Sequence, residues 1–212
     1  SKTVENTPHT HPLGNMKFVW LDKSFGYVLL TWFIMGFANL WTLPLRVDYI
    51  TAPEWGIEGS AIFVAMIITV IPETLRMLLI PYWASLFDRM NFVVLLMILN
   101  LFFGLGVLLF FVTSNPWVIG LGAALIGAAF SGGSIAWNLW VTKYAPSGKT
   151  GAYMSVHVSL TGIRGTIGPI LGFWTVSQIG AQNIGILSCS MMFFATLMLI
   201  PKIKHGRHML LK

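Results

Sequence analysis

The stretch FVVLLMILNLFFGLGVLLFFV, residues 92–112, decides the fold. It holds no charged residue and few polar ones. An apolar run of about 18 to 20 residues, wound at 1.5 Å per residue, spans the roughly 30 Å hydrocarbon core of a bilayer. Working outward, five similar runs flank it, at 25–45, 61–86, 117–140, 153–177 and 184–200. Asp88-Arg89-Met90-Asn91 turns the chain into the central run, and Thr113-Ser114-Asn115-Pro116 turns it out again. The expected fold is an all-α membrane protein of six transmembrane helices.

Composition agrees. Hydrophobic residues make up 56% of the 212 and charged residues 9%, with a mean hydropathy of +0.76. A water-facing domain carries about 25% charged residues. The net charge of +6 could suggest nucleic-acid binding, but the basic residues are scattered between apolar runs and none is expected. One cysteine, Cys189, excludes an intramolecular disulfide and suggests no metal cluster. No cofactor, ATP motif or metal-ligand spacing is visible, and an enzyme is not expected.

Residues 1–24 read as a polar cytoplasmic lead-in, 25–203 as the six-helix bundle and 204–212 as a basic tail. No secretory signal opens the chain, and its start at Ser1 reads as processing or as a piece of a longer protein. Basic residues concentrate on the inner side of membrane proteins. With both termini inside, ten Lys and Arg fall on the inner side against Arg46 alone outside, while Arg76 and Arg164 lie within spans. Both termini are therefore expected in the cytoplasm, with the plasma (inner) membrane as the location.

Ionisable residues inside spans are costly and mark pathways, gates or partners. Glu73 and Arg76 are three apart in the second span, share a helix face and can pair. Arg164, near the middle of the fifth span, has no acid in its own run, so its partner must be another helix, water or an anion. Pairing of Glu73 with Arg164 competes with pairing to Arg76. His157 sits near the inner mouth, as a packing residue or a proton carrier. Trp137 and Asn138 near the inner end of the fourth span are candidate cavity-lining residues, and Trp140 reads as an interface anchor. Ser24 and Ser60 read as helix caps. Gly162, Gly165, Gly168-Pro169 and Gly172 form a small-residue stripe for close packing or a hinge. The third and sixth spans, almost wholly apolar, are expected outside a polar interior bounded by spans one, two, four and five.

The segment Ala84-Ser85-Leu86-Phe87-Asp88-Arg89-Met90-Asn91-Phe92 resembles the cytoplasmic loop motif Gly-x-Leu-x-Asp-Arg-x-Gly-Arg of the major facilitator superfamily. Leu86, Asp88 and Arg89 match; Ala84, Asn91 and Phe92 depart from Gly, Gly and Arg. Gly168-Pro169-Ile170-Leu171-Gly172 similarly resembles the Gly-Pro-x-x-Gly element of a fifth helix in that superfamily, and the loop from Lys143 to Gly151 resembles the one preceding it. The resemblance implies the C-terminal six-helix half of a secondary transporter working by rocking-bundle alternating access. The chain would supply one wall of the path for a small solute of unknown identity, in a lipid bilayer. Its partner would be the missing N-terminal half or a second copy, and Asp88 and Arg89 would set the conformational equilibrium. A half-size homodimer and a non-transporting scaffold compete with this reading. An intramembrane serine protease of the rhomboid type is remote: Ala129, not Gly, precedes Ser131-Gly132 by two, and the sixth span lacks His.

Overall fold

A computed structural model describes residues 12–206. Among the described residues there is no strand. The long helices are α1 (Lys23–Thr51), α2 (Ala61–Arg89), α3 (Phe92–Phe111), α4 (Pro116–Lys143), α5 (Thr150–Ile179) and α6 (Ala181–Lys202). All but α5 are long and apolar enough to cross a membrane, which makes five such helices. At 30 residues α5 has the length but not the mean hydropathy. Its glycines and polar side chains lower the average.

Local chemistry sets the boundaries. The Asp22 carboxylate accepts from the Ser24 and Phe25 amides, so Asp22 rather than Ser24 caps α1. Ser60 caps α2 through the Phe63 amide, and Asn115 caps α4 through that of Trp117. Pro44 breaks the ladder of α1 at Leu43–Pro44, yet the helix resumes over Leu45–Thr51 rather than ending. In α2 a turn of π-helix, Met66–Val70, precedes Pro72, and Pro81 follows within the helix. Such bulges and prolines redirect helix axes. Gly180 alone joins α5 to α6, at a φ of 78° that L side chains rarely adopt.

The packing has an internal order. α1 packs on α5 and α6, α4 packs on α2 and α3, and α3 packs on α6. Advancing every helix by three places maps this set of contacts onto itself, so α1–α3 and α4–α6 form two like triplets. Because consecutive helices alternate in direction, the second triplet is inverted, the plan of many transporter repeats. Lipid tails are as apolar as leucine, so close backbone approach, not hydrophobic burial, must hold such helices together. A Cβ on Gly127 of α4 would lie 2.5 Å from the Pro72 backbone of α2. One on Gly172 of α5 would run into the Trp41 carbonyl of α1. These two crossings correspond under the repeat.

α3 is not peripheral. Of its most apolar window 56% is buried, against 11% for α2. α3 and α6 meet each other and back the bundle, while α2 and α5 flank it. Part of the lead-in packs on the bundle. Pro12–Lys17 and Phe18–Leu21 form helical turns against α5, with Asn15 donating to Ser155 at 2.9 Å and Phe18 stacked on Tyr153. Residues 1–11 and 207–212, the first part of the polar lead-in and most of the basic tail, lie outside the described residues.

One end of the bundle gathers the basic residues. Lys143 at the end of α4 lies over the Phe87 ring of α2, and Lys202 at the end of α6 over the Tyr27 ring of α1. Asn91 caps α3 through the Val93 amide and donates to the Ile203 carbonyl at 2.7 Å, tying the loop between α2 and α3 to the end of α6. Asp88 and Arg89, in the last turn of α2 rather than in the loop, are exposed, and neither side chain has a hydrogen-bond or ion-pair partner among the described residues. Leu86, the third matching residue of the motif, is partly buried and packed on the core.

Candidate cavity between α1, α2, α4 and α5

Two adjoining cavities open between the flanking helices. One, of about 330 Å³, is bounded by α1, α2, α4 and α5, with Phe103 of α3 at its back. The other, of about 260 Å³, lies toward the Arg46 end of α1. Arg76 and Phe130 line both. The helices expected around a polar interior are those that bound the larger cavity.

Three arginines face this space, each held differently. Arg76 bonds both Glu73 carboxylate oxygens at 3.3 Å, one helical turn back on α2. That pair forms instead of Glu73–Arg164, and both side chains are substantially exposed. Arg164 is 6% exposed and reaches from α5 to α1, where Nη1 donates to the Trp32 carbonyl. Its Nη2 donates to Thr161 Oγ1 at 3.2 Å, and its Nε is buried with no partner. Gly36 makes the reach possible, since a Cβ there would collide with the guanidinium. The sequence places Arg46 on the outer side, where the first apolar run ends. The structure instead buries it within α1, donating from Nη2 to Asn39 Oδ1 at 2.7 Å, also with its Nε unpartnered.

The remaining candidates separate. Trp137 lines the larger cavity. Asn138 does not: it is exposed and donates to the Ser134 carbonyl of its own helix at 2.7 Å. His157, 1% exposed, lies outside the cavity lining in a cage of Trp32, Trp137 and Trp140, with ring centroids at 5.8, 5.1 and 5.3 Å. Trp140 is wholly buried rather than an interface anchor, stacked on Phe25. Just beyond α4, burial and then the Asp22 carboxylate hold the Tyr144 phenol above its ordinary range. Gly168 and Gly172 adjoin Leu40 and Trp41 of α1, but Gly162 and Gly165 face open space, so half of the glycine stripe packs nothing. Pro169 lies within an uninterrupted α5. Ser131 is fully buried and donates to the Arg76 carbonyl at 2.8 Å, an interhelical tie rather than an activated nucleophile.

Sequence reasoning missed Arg46, Asn39 and Gly36. A signal existed for the first two, since Asn39 and Arg46 stand seven apart and so share a helix face. Their recognition required α1 to continue past Pro44. Gly36 carried no signal, because its role depends on a side chain from another helix.

Among the described residues no group of His, Cys, Asp and Glu is placed to hold a metal ion. No protein-family model, no curated protein and no solved structure matches this chain.

Proposed function

We propose that this chain forms six transmembrane spans making one half of a secondary active transporter of the major facilitator type. α1, α2, α4 and α5 line one wall of the solute path and move by rocking-bundle alternating access. The partner is a second six-helix half or a second copy of this chain. The basic end of the bundle faces the cytoplasm, with the plasma (inner) membrane as the location. The observation that carries the reading is the inverted pair of three-helix units meeting at a cavity that contains a buried arginine. Inverted repeats with a site at their interface are the common plan of secondary transporters. A passive scaffold has no evident need for a charge in that position.

The test uses accessibility. In a Cys189→Ser background of the full protein, single cysteines at Ser134 and Thr161 line the larger cavity. A membrane-impermeant maleimide should label them in both right-side-out and inside-out vesicles. Labelling from one side only would contradict alternating access and favour a fixed receptor or scaffold, and labelling from neither would remove the cavity from any aqueous path.

A further inference from the structure

The larger cavity has a charge imbalance that the described residues offset only in part. Of its lining residues Arg76 and Arg164 are charged, and no acidic residue joins them. Glu73 partly compensates Arg76 from the adjoining cavity. Arg164 bonds to a carbonyl and a hydroxyl, both neutral, and Arg46 bonds to a neutral amide. Glu73–Arg76 is the one ion pair among the described residues. Cations inside membrane spans are retained where they pair or bind. Coulomb attraction to a counter-charge grows as the dielectric falls.

The rest of the wall is apolar and aromatic. Trp32, Met35, Phe103, Phe130 and Trp137 bound the same space. A volume of about 330 Å³ suits a small organic molecule, and binding pockets combine such walls with a few placed polar groups. Guanidinium is the side chain best matched to carboxylate oxygens. Its approach here is fixed in advance, because Gly36 and the Trp32 carbonyl hold Arg164 across the gap between α5 and α1.

We infer that the larger cavity binds an amphipathic organic anion, its carboxylate held by Arg164 and Arg76 and its apolar body against the aromatic wall. This inference rests on the transporter reading for the cavity being a solute site, and it names the class of solute.

The probes are 2-naphthoate, its neutral analogue 2-naphthamide and the cationic 2-naphthylmethylammonium, titrated calorimetrically into the purified full protein. Naphthoate should bind at least about tenfold more tightly than the amide, with no binding of the cation. That ratio corresponds to about 1.4 kcal/mol, less than a charged hydrogen bond contributes. Arg164→Gln should reduce the ratio to about one, and Arg164→Lys should restore part of it. Because Arg164 also bridges two helices, Ser134→Asp provides a second route, placing a carboxylate in the cavity with every arginine intact. It should abolish naphthoate binding and spare the amide. Equal binding of acid and amide by the unaltered protein would overturn the inference, as it would if a second bundle already supplied the counter-charge. So would an anion preference that survives both Arg164→Gln and Ser134→Asp. Two-sided maleimide labelling together with no anion preference would sink the solute class alone, whereas failed labelling would sink the transporter reading.

Discussion

In α2, Arg76 finds its counter-charge one turn away on the same helix, and the pair stays half-exposed. In α5, the equivalent helix of the inverted triplet, Arg164 has no acid on its own helix and crosses to the backbone of α1. The two helices occupy matching places in the packing and treat charge in opposite ways. A pair that neutralises itself locally can remain intact while its helix moves. A cation bonded to a neighbour's backbone must give up that bond if the helices part. Both crossings combine a close glycine contact with a polar tie, but the tie from α5 to α1 is a charged guanidinium, whereas that between α4 and α2 is the neutral Ser131 hydroxyl.

The largest expected effect tests the glycine contacts. Gly127→Leu and Gly172→Leu drive side chains into backbone and should cost about 3 kcal/mol, the upper end for overpacking, reading out as loss of the monodisperse peak in size-exclusion chromatography. Gly165→Leu, where nothing lies within 4 Å, should leave that peak unchanged. If all three behave alike, the two crossings do not hold the bundle. Next comes the polar contact. Arg164→Gln should destabilise by about 1.5–3 kcal/mol, the range for a hydrogen bond to a charged group, measured by unfolding in detergent.

Smaller still is Asn91→Ala, which removes the α3 cap and should cost about 1 kcal/mol in the same assay. The smallest change is expected for Glu73→Gln, at about 0.2–1 kcal/mol for a pair this exposed. If Glu73→Gln matched Arg164→Gln, the proposed difference between the two flanking helices would be gone.

Much of this architecture was legible because helix length and apolarity are properties of single segments. The runs at 92–112 and 184–200 each match a helix within a few residues. The Glu73–Arg76 pairing was legible for a similar reason, since a three-residue spacing fixes proximity on one helix. Features that depend on a second helix were not. The glycine stripe of α5 is continuous in sequence, but crossing helices touch over a short length, so Gly168 and Gly172 meet α1 and Gly165 does not. At the level of Arg164 the guanidinium occupies the space between the two helices. The first charge after an apolar run marks its end only where water must solvate that charge, and for Arg46 Asn39 provides an acceptor inside the bundle. Trp140 was misplaced by a rule about membrane interfaces that does not see the cage formed by Trp32, Phe25 and His157.

The one-residue link at Gly180 has a mechanical corollary. A single glycine leaves no slack, so the end of α5 at Ile179 is hung directly on the start of α6. The opposite end of α5 follows Tyr144–Lys149, a strap several residues long. α5 is thus pinned at Ile179, so any swing that frees Arg164 from the Trp32 carbonyl is smallest at that pin and must carry or break the Asn15–Ser155 and Phe18–Tyr153 contacts at the other end.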